Sequence, residues 1–500
     1  MNKSYLVIGT CLLFLSLQAG AQNLADALRY SSTRIEGTAR SGGMGNAFGA
    51  LGGDFTSVGI NPAALGIYRS GELALSPYFG VNQVESRYLQ SLLSDNKYKM
   101  AFSNLSYVAT LKSGAKSETG LVSVNIGVGY NRLADFSSNI LVEGRNAHSS
   151  FLDHIAENAN LGGSWSEYYE ELASKVDLLQ YDTQLKEYWH DIEEDGYGQS
   201  QRKSYSRKGA MDEYTLGVGL NFSHKVYVGA SLGIADLYFK ESTELTEWDA
   251  NNNILYFNDF RFNSSLRTAG TGFNAKIGVI FKPINEVRLG ASIHTPTFFS
   301  MNDNFETSMQ SSITYDDGKT ETHSAYSPYS DYDYDLETPF RATFSGAVIL
   351  AKKGLLSVDY ELVNYSAAKF RNGGDGYAYV NENKDIKEVY KSTGNIRLGG
   401  EYRLTDAFSA RAGYEYYPSA YKSGAFNSNQ PNADMNFNVY SLGFGYKTNG
   451  FFFDVAYRHT ATGEFNLLYP APQTNDYPTA EMAKFDTNVD KVIFTLGFRF

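Results

Sequence analysis

Near the end of the chain the side chains alternate in chemistry. Val492, Phe494, Leu496, Phe498 and Phe500 fall on one face, Lys491, Thr495, Gly497 and Arg499 on the other. The same period of two returns upstream. Ile396, Leu398, Tyr402 and Leu404 alternate with Arg397, Glu401 and Arg403; Phe408, Ala410, Ala412 and Tyr414 with Ser409, Arg411 and Glu415; Phe451, Phe453, Val455 and Tyr457 with Asp454 and Arg458. A period of two predicts β-strands with one apolar and one polar face. An apolar face that runs out to a terminal aromatic fits a strand whose outside meets lipid and whose inside meets a polar lumen. An Arg turned toward lipid near the bilayer midplane costs ~2–4 kcal/mol, so these charges are expected to face inward. The predicted lumen therefore carries both signs of charge.

Followed through the chain, the alternation predicts strands at 71–84, 98–111, 118–133, 211–223, 225–246, 254–282, 285–300, 332–351, 354–367, 391–404, 406–418, 435–447, 450–465 and 488–500. Fourteen is an even number, as a closed single-chain barrel with both ends on one side requires. The connections sort themselves. Ser223-His224-Lys225, Lys282-Pro283-Ile284-Asn285, Ala351-Lys352-Lys353-Gly354, Thr405-Asp406 and Lys447-Thr448-Asn449-Gly450 read as tight turns. The alternate gaps, 134–210, 301–331, 368–390, 419–434 and 466–487, are long and polar. Short turns on one side and long loops on the other are the outer-membrane arrangement. A soluble two-sheet sandwich is the competing fold, and it explains neither the sorting of the loops nor the Phe500 ending.

Composition changes this picture little. Mean hydropathy is −0.34, as expected when only alternate residues touch lipid. After Leu17 no run of ~20 apolar residues occurs, which excludes helical spans. The 38 Tyr, 32 Phe and 47 Gly suit aromatic girdles and close strand packing. At the start, Lys3, the apolar stretch Leu6 to Leu17, and Ala19-Gly20-Ala21 predict a secretory signal peptide over 1–21. The single cysteine, Cys11, falls inside it, so disulfide and thiol chemistry are not expected. With 55 acidic residues against 43 basic, nucleic acid is not an expected partner.

Residues 22–70 do not alternate. The stretch Gly37 to Asp54 is rich in small residues and leads into Val58-Gly59-Ile60-Asn61-Pro62-Ala63-Ala64-Leu65. A phosphate-binding loop would need a preceding strand and a following Lys, and has neither. A compact segment packed inside a wider barrel suits the composition better, because side chains alone do not close a lumen of this size. The run Thr38-Ala39-Arg40, Gly43-Met44-Gly45-Asn46-Ala47, Asp54 and Asn61-Pro62-Ala63 resembles the hatch of FadL-type outer-membrane transporters (TodX-like proteins included), which carry long-chain fatty acids and other hydrophobic compounds. Arg288 to Thr297 is similar to the same family's mid-barrel pattern. The resemblance implies three parts: a signal peptide (1–21), a hatch (22–70), and an all-β, fourteen-stranded antiparallel transmembrane β-barrel (71–500) with a helical outer loop at 134–210.

The resemblance also implies a path: capture by outer loops, passage through a plugged lumen, and sideways exit at a kinked third strand. Trp165, Tyr168, Tyr169, Leu172, Val176 and Leu179 recur at three- and four-residue spacing, which predicts a helix in the longest loop. That stripe is either a landing groove for ligand or a cap packed on neighbouring loops. The third strand carries Gly127 and Gly129, which permit a bulge or bend, and its alternation fades after Tyr130. Arg40, Asn46, Asp54, Asn61, Pro62 and Ala63 are the candidate plug residues, with Arg29, Arg34 and Glu36 facing wall charges Asp359, Glu361, Arg397, Glu401 and Arg458. Pairing is the expected role of these charges, since isolated charges in a confined lumen are costly; holding a ligand carboxylate is the alternative. His294 is expected to point inward. Expected partners are outer-membrane lipid and lipopolysaccharide, the barrel-assembly machinery during biogenesis, and a hydrophobic small molecule.

Other functions remain in view. A haem receptor would need ligating histidines; His148, His154, His190 and His323 fall in outer loops and form no paired motif. No nucleophile–base arrangement predicts an enzyme, and no spacing predicts a metal or other cofactor. A filled lumen argues against a general porin. The tyrosine-rich acidic stretch Tyr326 to Tyr334 leaves an adhesive or structural surface barrel as an alternative.

Overall fold

A computed structural model describes residues 24–112, 119–351, 353–425, 431–474 and 476–500. The expected signal peptide and Cys11 lie outside the described residues. Among those described, fourteen antiparallel strands make the wall. They are β1 Glu72–Tyr88, β2 Ser91–Lys112, β3 Leu121–Asp135, β4 Ser200–Phe222, β5 Val226–Trp248 and β6 Phe257–Phe281. Next come β7 (Val287–His294, continued by Phe298–Thr314), β8 (Ser330–Glu337, continued by Arg341–Leu350) and β9 Gly354–Asn364. The rest are β10 Ser392–Arg403, β11 Phe408–Tyr417, β12 Phe437–Lys447, β13 Phe451–Leu467 and β14 Met482–Arg499. Each pairs with its sequence neighbour, and β14 closes on β1 from Glu72↔Arg499 to Arg87↔Lys484.

The alternation sorts as lipid demands. On β5, Val228, Leu232, Ile234 and Tyr238 are exposed on the outside. On β12, Tyr440, Leu442 and Phe444 are exposed, whereas Val439 and Ser441 are buried. Inside, Asp359, Arg397, Arg411, Glu415, Asp454 and Arg458 are all buried.

Strands β1, β2, β4 and β7 run farther than predicted, and the strands predicted long, β5 and β6, outrun the bilayer as well. A tilted strand crosses a bilayer in ~9–11 residues, yet β5 has 23 and β6 has 25. Much of the predicted outer loops is strand: Ser138–Gly144, 200–210, and the hairpin of Phe298–Thr314 with Thr320–Tyr326. The first two strands do not end at 84 and begin at 98. They meet in a two-residue hairpin at Leu89-Gln90, with Leu89 at φ 49°. Beyond the bilayer no outward side chain needs to be apolar, so the period of two fades while backbone pairing continues.

Over these extended strands sits a cap. Helix α3 (Phe151–Asn160) opens on a capping box, Ser150 with Asp153, and a short helix, α4, spans Glu170–Lys175. Phe151, Leu152, Ile155, Leu172 and Val176 are buried there with Phe257, Phe260 and Ile313 of the wall.

Candidate functional site

The segment 24–70 lies within the barrel and is tied to strands all around it. Ala39 N donates to Thr495 Oγ1 of β14 at 2.7 Å, and Ser103 Oγ of β2 to Gly37 O at 2.6 Å. Gly49 N donates to both oxygens of Asp359 on β9 at 3.2 and 3.0 Å. Asn125 Nδ2 of β3 donates to Leu65 O at 2.7 Å, and Ser292 Oγ of β7 to Ile60 O at 2.7 Å.

Its turns follow from local chemistry. Thr38 caps a one-turn helix, α2 (Ala39–Gly42), by accepting from Ser41 N. Asp54 caps the 3₁₀ turn Phe55–Gly59 in the same way and also accepts from Thr38 Oγ1 at 2.5 Å. Asn61 is extended, caps Pro62–Ile67 by accepting from Ala63 N at 3.1 Å, and is followed by Pro62 at the first helical position. Its Nδ2 also donates to Gly49 O at 2.8 Å and to Val279 O of β6 at 3.2 Å. The Asn-Pro-Ala motif is thus at once a cap and a wall anchor. Asn46 holds a left-handed backbone (φ 50°), tolerable for its short polar side chain. It reaches Ile35 O at 2.9 Å and Glu415 Oε1 at 3.3 Å.

The wall receives this segment on glycines. A Cβ at Gly278 would meet Asn61 Oδ1 at 2.0 Å, one at Gly413 would meet Gly45 N at 2.1 Å, and one at Gly219 would meet Gly66 N at 2.4 Å. These inward positions let backbone pack on backbone. The signal was present in the sequence, as Gly on polar faces of alternating strands, but the period of two does not separate it from ordinary small residues.

Charge pairs add to the attachment. Arg40 donates to Glu401 at 3.1 and 3.2 Å, and Arg458 to Glu36 at 3.2 Å and Glu415 at 2.6 Å. Lys491 also reaches Glu36, at 2.6 Å. Arg29 pairs within the segment, with Asp26. Arg34 lies 3.8 Å over the ring of Phe437.

Between this segment and the wall is a cavity of about 60 Å³, room for only a few waters at ~30 Å³ each. Ser31, Thr33, Ile35 and Ile60 face it from the segment; Leu133, Met211, Ala235 and Phe299 give it apolar wall. Its charged wall is Glu213, Lys276, Arg341, Glu361 and Arg397, with His294. Lys276 pairs with Glu213; Glu361 accepts from Arg341 at 2.7 Å and Arg397 at 3.1 Å. His294 points inward as expected, and its Nε2 donates to Ile60 O at 2.8 Å. Ser31 Oγ and Asn274 Oδ1 are buried at the cavity with no hydrogen-bond partner.

The wall is interrupted at β3. Pairing of β2 with β3 runs from Lys112↔Ser123 to Asn104↔Asn131 and stops. The β3–β4 register slips between Arg132 and Ala134, and the continuation Ser138–Gly144 turns inside β1, where Ser86 Oγ donates to Leu141 O at 2.5 Å. Side chains bridge the gap: Lys99 Nζ donates to Asp135 Oδ1 at 2.7 Å and Ser137 Oγ at 3.0 Å. The bend lies beyond Gly127 and Gly129, not at them. Both glycines sit in regular pairing, and their missing Cβ atoms make room for Leu65 and Phe55.

The aromatic stripe of the long loop is packed inward. Leu172, Val176 and Leu179 are buried in the cap core, Trp165 and Tyr169 pack against it, and Tyr168 lies 5.5 Å from Phe305. Of the two roles open to the stripe, landing groove or packed cap, these positions take the packed one, and the helix is shorter than the spacing predicted, Glu170–Lys175. Below it, Glu247 is wholly buried and accepts from Phe151 N, Ser150 Oγ, Gln199 Nε2 and Gln201 Nε2 at 2.7–3.1 Å. Burial pushes its carboxyl up to about 7. Burial pushes His154 of α3 down to about 4.

Residues 208–500, more than half the chain, match the family described as outer membrane protein transport protein (OMPP1/FadL/TodX). No curated protein matches the sequence. Among solved structures, a Pseudomonas aeruginosa FadL homologue is similar at 11% identity, covering 92% of this chain and 98% of its own, with a TM-score of 0.53. The Pseudomonas putida toluene transporter TodX is similar at 13% identity, covering 94% and 100%, with a TM-score of 0.51. At such identities these likenesses speak to fold.

Proposed function

We propose, from the premise that the chain belongs to the OMPP1/FadL/TodX family of outer-membrane transport proteins, that it admits hydrophobic small molecules, long-chain fatty acids foremost, by passive movement. The observation that carries this reading is one juxtaposition. A cavity walled by apolar residues and by paired charges is lined in part by Leu133, next to the place where β3 leaves β2. Leu133, Met211 and Phe299 suit an alkyl chain, while Arg341, Arg397 and Lys276 suit a carboxylate. The ligand passes from the outer loops to this cavity, displaces part of the segment 24–70, and leaves sideways at the interruption. The 60 Å³ available means that entry requires such a displacement. The similar TodX protein is a toluene transporter, which supports apolar cargo without choosing between chain and ring. Lipid and lipopolysaccharide surround the exposed apolar band, and the assembly machinery inserts the barrel.

Two other readings fare less well. Haem would need a free imidazole, and the Nε2 of His294 is engaged with Ile60 O. The exposed Tyr326 and Tyr329 on the acidic outer hairpin favour a surface-binding role, but such a role leaves the interrupted wall without use. The test is accumulation of radiolabelled palmitate by liposomes holding the purified full chain, alongside mass spectrometry of molecules that co-purify in mild detergent. Uptake above protein-free liposomes is expected. Rates equal to empty liposomes, with no apolar molecule retained, would overturn the reading.

A further inference from the structure

The wall has a second interruption. On β7, pairing with β8 runs to His294↔Arg341 and resumes at Phe298↔Glu337, so Thr295-Pro296-Thr297 faces Thr338-Pro339-Phe340 without a regular ladder. Each stretch carries a proline, which has no N–H to give. On the other edge of β8, pairing with β9 ends at Arg341↔Val363, and pairing resumes only at Glu337↔Lys369 with the short strand Lys369–Arg371, leaving five residues opposite three. What holds the site is sparse: Thr338 N donates to Thr297 O at 3.0 Å and Thr297 N to Thr338 Oγ1 at 2.8 Å.

This gap stands between two hollows. Inside, Thr295, Thr297, Thr338 and Pro339 line the lumenal cavity, where Asn274 Oδ1 is buried and unpartnered and its Nδ2 reaches Thr297 Oγ1 at 3.2 Å. Outside, an apolar groove of about 520 Å³ runs across β4 to β8, lined among others by Leu220, Ala230, Ile277, Ala291, Ile293 and Phe344. Consecutive residues of β7 join the two: Ile293 belongs to the groove, His294 and Thr295 to the cavity. Cavity and groove lie on opposite faces of the wall at neighbouring residues of β7, beside the unladdered stretch, and so offer separate places to the head and the tail of a single-chain amphiphile.

We propose that the Thr295–Thr297 and Thr338–Phe340 interruption is a second lateral portal, and that the outer groove seats the alkyl chain of a single-chain amphiphile whose polar head lies in the cavity. The proposal rests on the transport reading above, but assigns it a second door, five strands around the wall from β3. An alkyl chain lies in the groove at no polar cost, since the groove already faces lipid, and the threonine hydroxyls carry the head past the gap.

The test uses the full chain in liposomes with palmitic acid bearing a terminal diazirine. After illumination, adducts are mapped by mass spectrometry. Expected are adducts on Ile293 and Phe344 several-fold above those on Leu442 and Phe444, which are equally lipid-facing on β12. The excess disappears in Ala291→Trp and in Ala230→Trp, two groove-filling changes on separate strands, so that one failure to fold leaves the other. Even labelling around the circumference, with adducts on lumenal Met211 and Phe299, overturns the portal and leaves transport standing. Even labelling with no lumenal adducts overturns both.

Discussion

The backbone N–H of Glu36 donates to the carbonyl of Arg132 at 2.9 Å, and Arg34 N to Leu133 O at 2.7 Å. Where β3 gives up its pairing with β2, the amino-terminal segment takes up part of the vacated ladder. The same Glu36 accepts from Arg458 of β13 and Lys491 of β14. Movement of the segment and opening at β3 thus share backbone bonds, and neither occurs without disturbing the other.

Locking the β3 interruption tests this coupling. Lys99 and Asp135 already touch across the gap at 2.7 Å. Lys99→Cys with Asp135→Cys, joined by a reducible bis-methanethiosulfonate linker that spans the reach of the lost Lys side chain, is expected to cut palmitate uptake by ~tenfold or more, as loss of the binding-competent state scales apparent affinity. Reductant restores it. Undiminished uptake in the verified cross-linked form would remove β3 from the path.

Asn61 should control how firmly the segment is seated. Asn61→Ala removes a cap worth ~1 kcal/mol together with the bond to Val279 O. Gly278→Ala forces a Cβ onto Asn61 Oδ1 from the wall side. Both are expected to speed hydrogen exchange over 55–67 and raise ion conductance in planar bilayers, with the barrel still resistant to unfolding in mild detergent. Conductance and exchange like those of the parent would show that the motif is not an anchor.

The cap holds two opposed titrations. Glu247, raised to about 7 by burial, favours the folded cap below its unfolded value near 4.5. That contribution is lost as pH rises through about 7, on the order of 3 kcal/mol in full. His154, lowered to about 4, favours the fold above its unfolded value near 6.5, and this contribution is lost as pH falls through about 4. Between about pH 4.5 and 6.5 the two slopes oppose each other and nearly cancel, so exchange protection over 151–160 is expected to change little from acid to neutral solution. Glu247→Gln should unmask the His154 limb, with protection rising from about pH 4 to 6.5; a profile as flat as the parent's would locate the titration elsewhere.

The lipid face offers a direct energetic check. Leu442 is 63% exposed on β12, and Leu442→Arg is expected to destabilise the barrel in lipid by ~2–4 kcal/mol. Unfolding by denaturant in liposomes measures it, with Asp434→Arg, on the outer side, as the near-neutral comparison. Equal effects at the two positions would mean that β12 does not face the hydrocarbon core.

The sequence determined what one solvent boundary dictates at each residue. Lipid on one face and a polar lumen on the other write a period of two, so the fourteen strands, the inward Arg397, Glu415 and Arg458, and the tight turns at 223–225 and 282–285 were legible. Asn61-Pro62 carried its own capping chemistry and was legible too. Beyond the bilayer that boundary is missing, and the extensions of β1, β2, β4 and β7 could not be read, because backbone pairing there imposes no side-chain pattern. Tertiary structure alone decided the partners. It joined Gly278 to Asn61, set Leu172 and Val176 into the cap core, placed the break of β3 after Asn131 and aligned two prolines across β7 and β8. Each of these is a meeting of residues far apart along the chain, and no local periodicity encodes a distance.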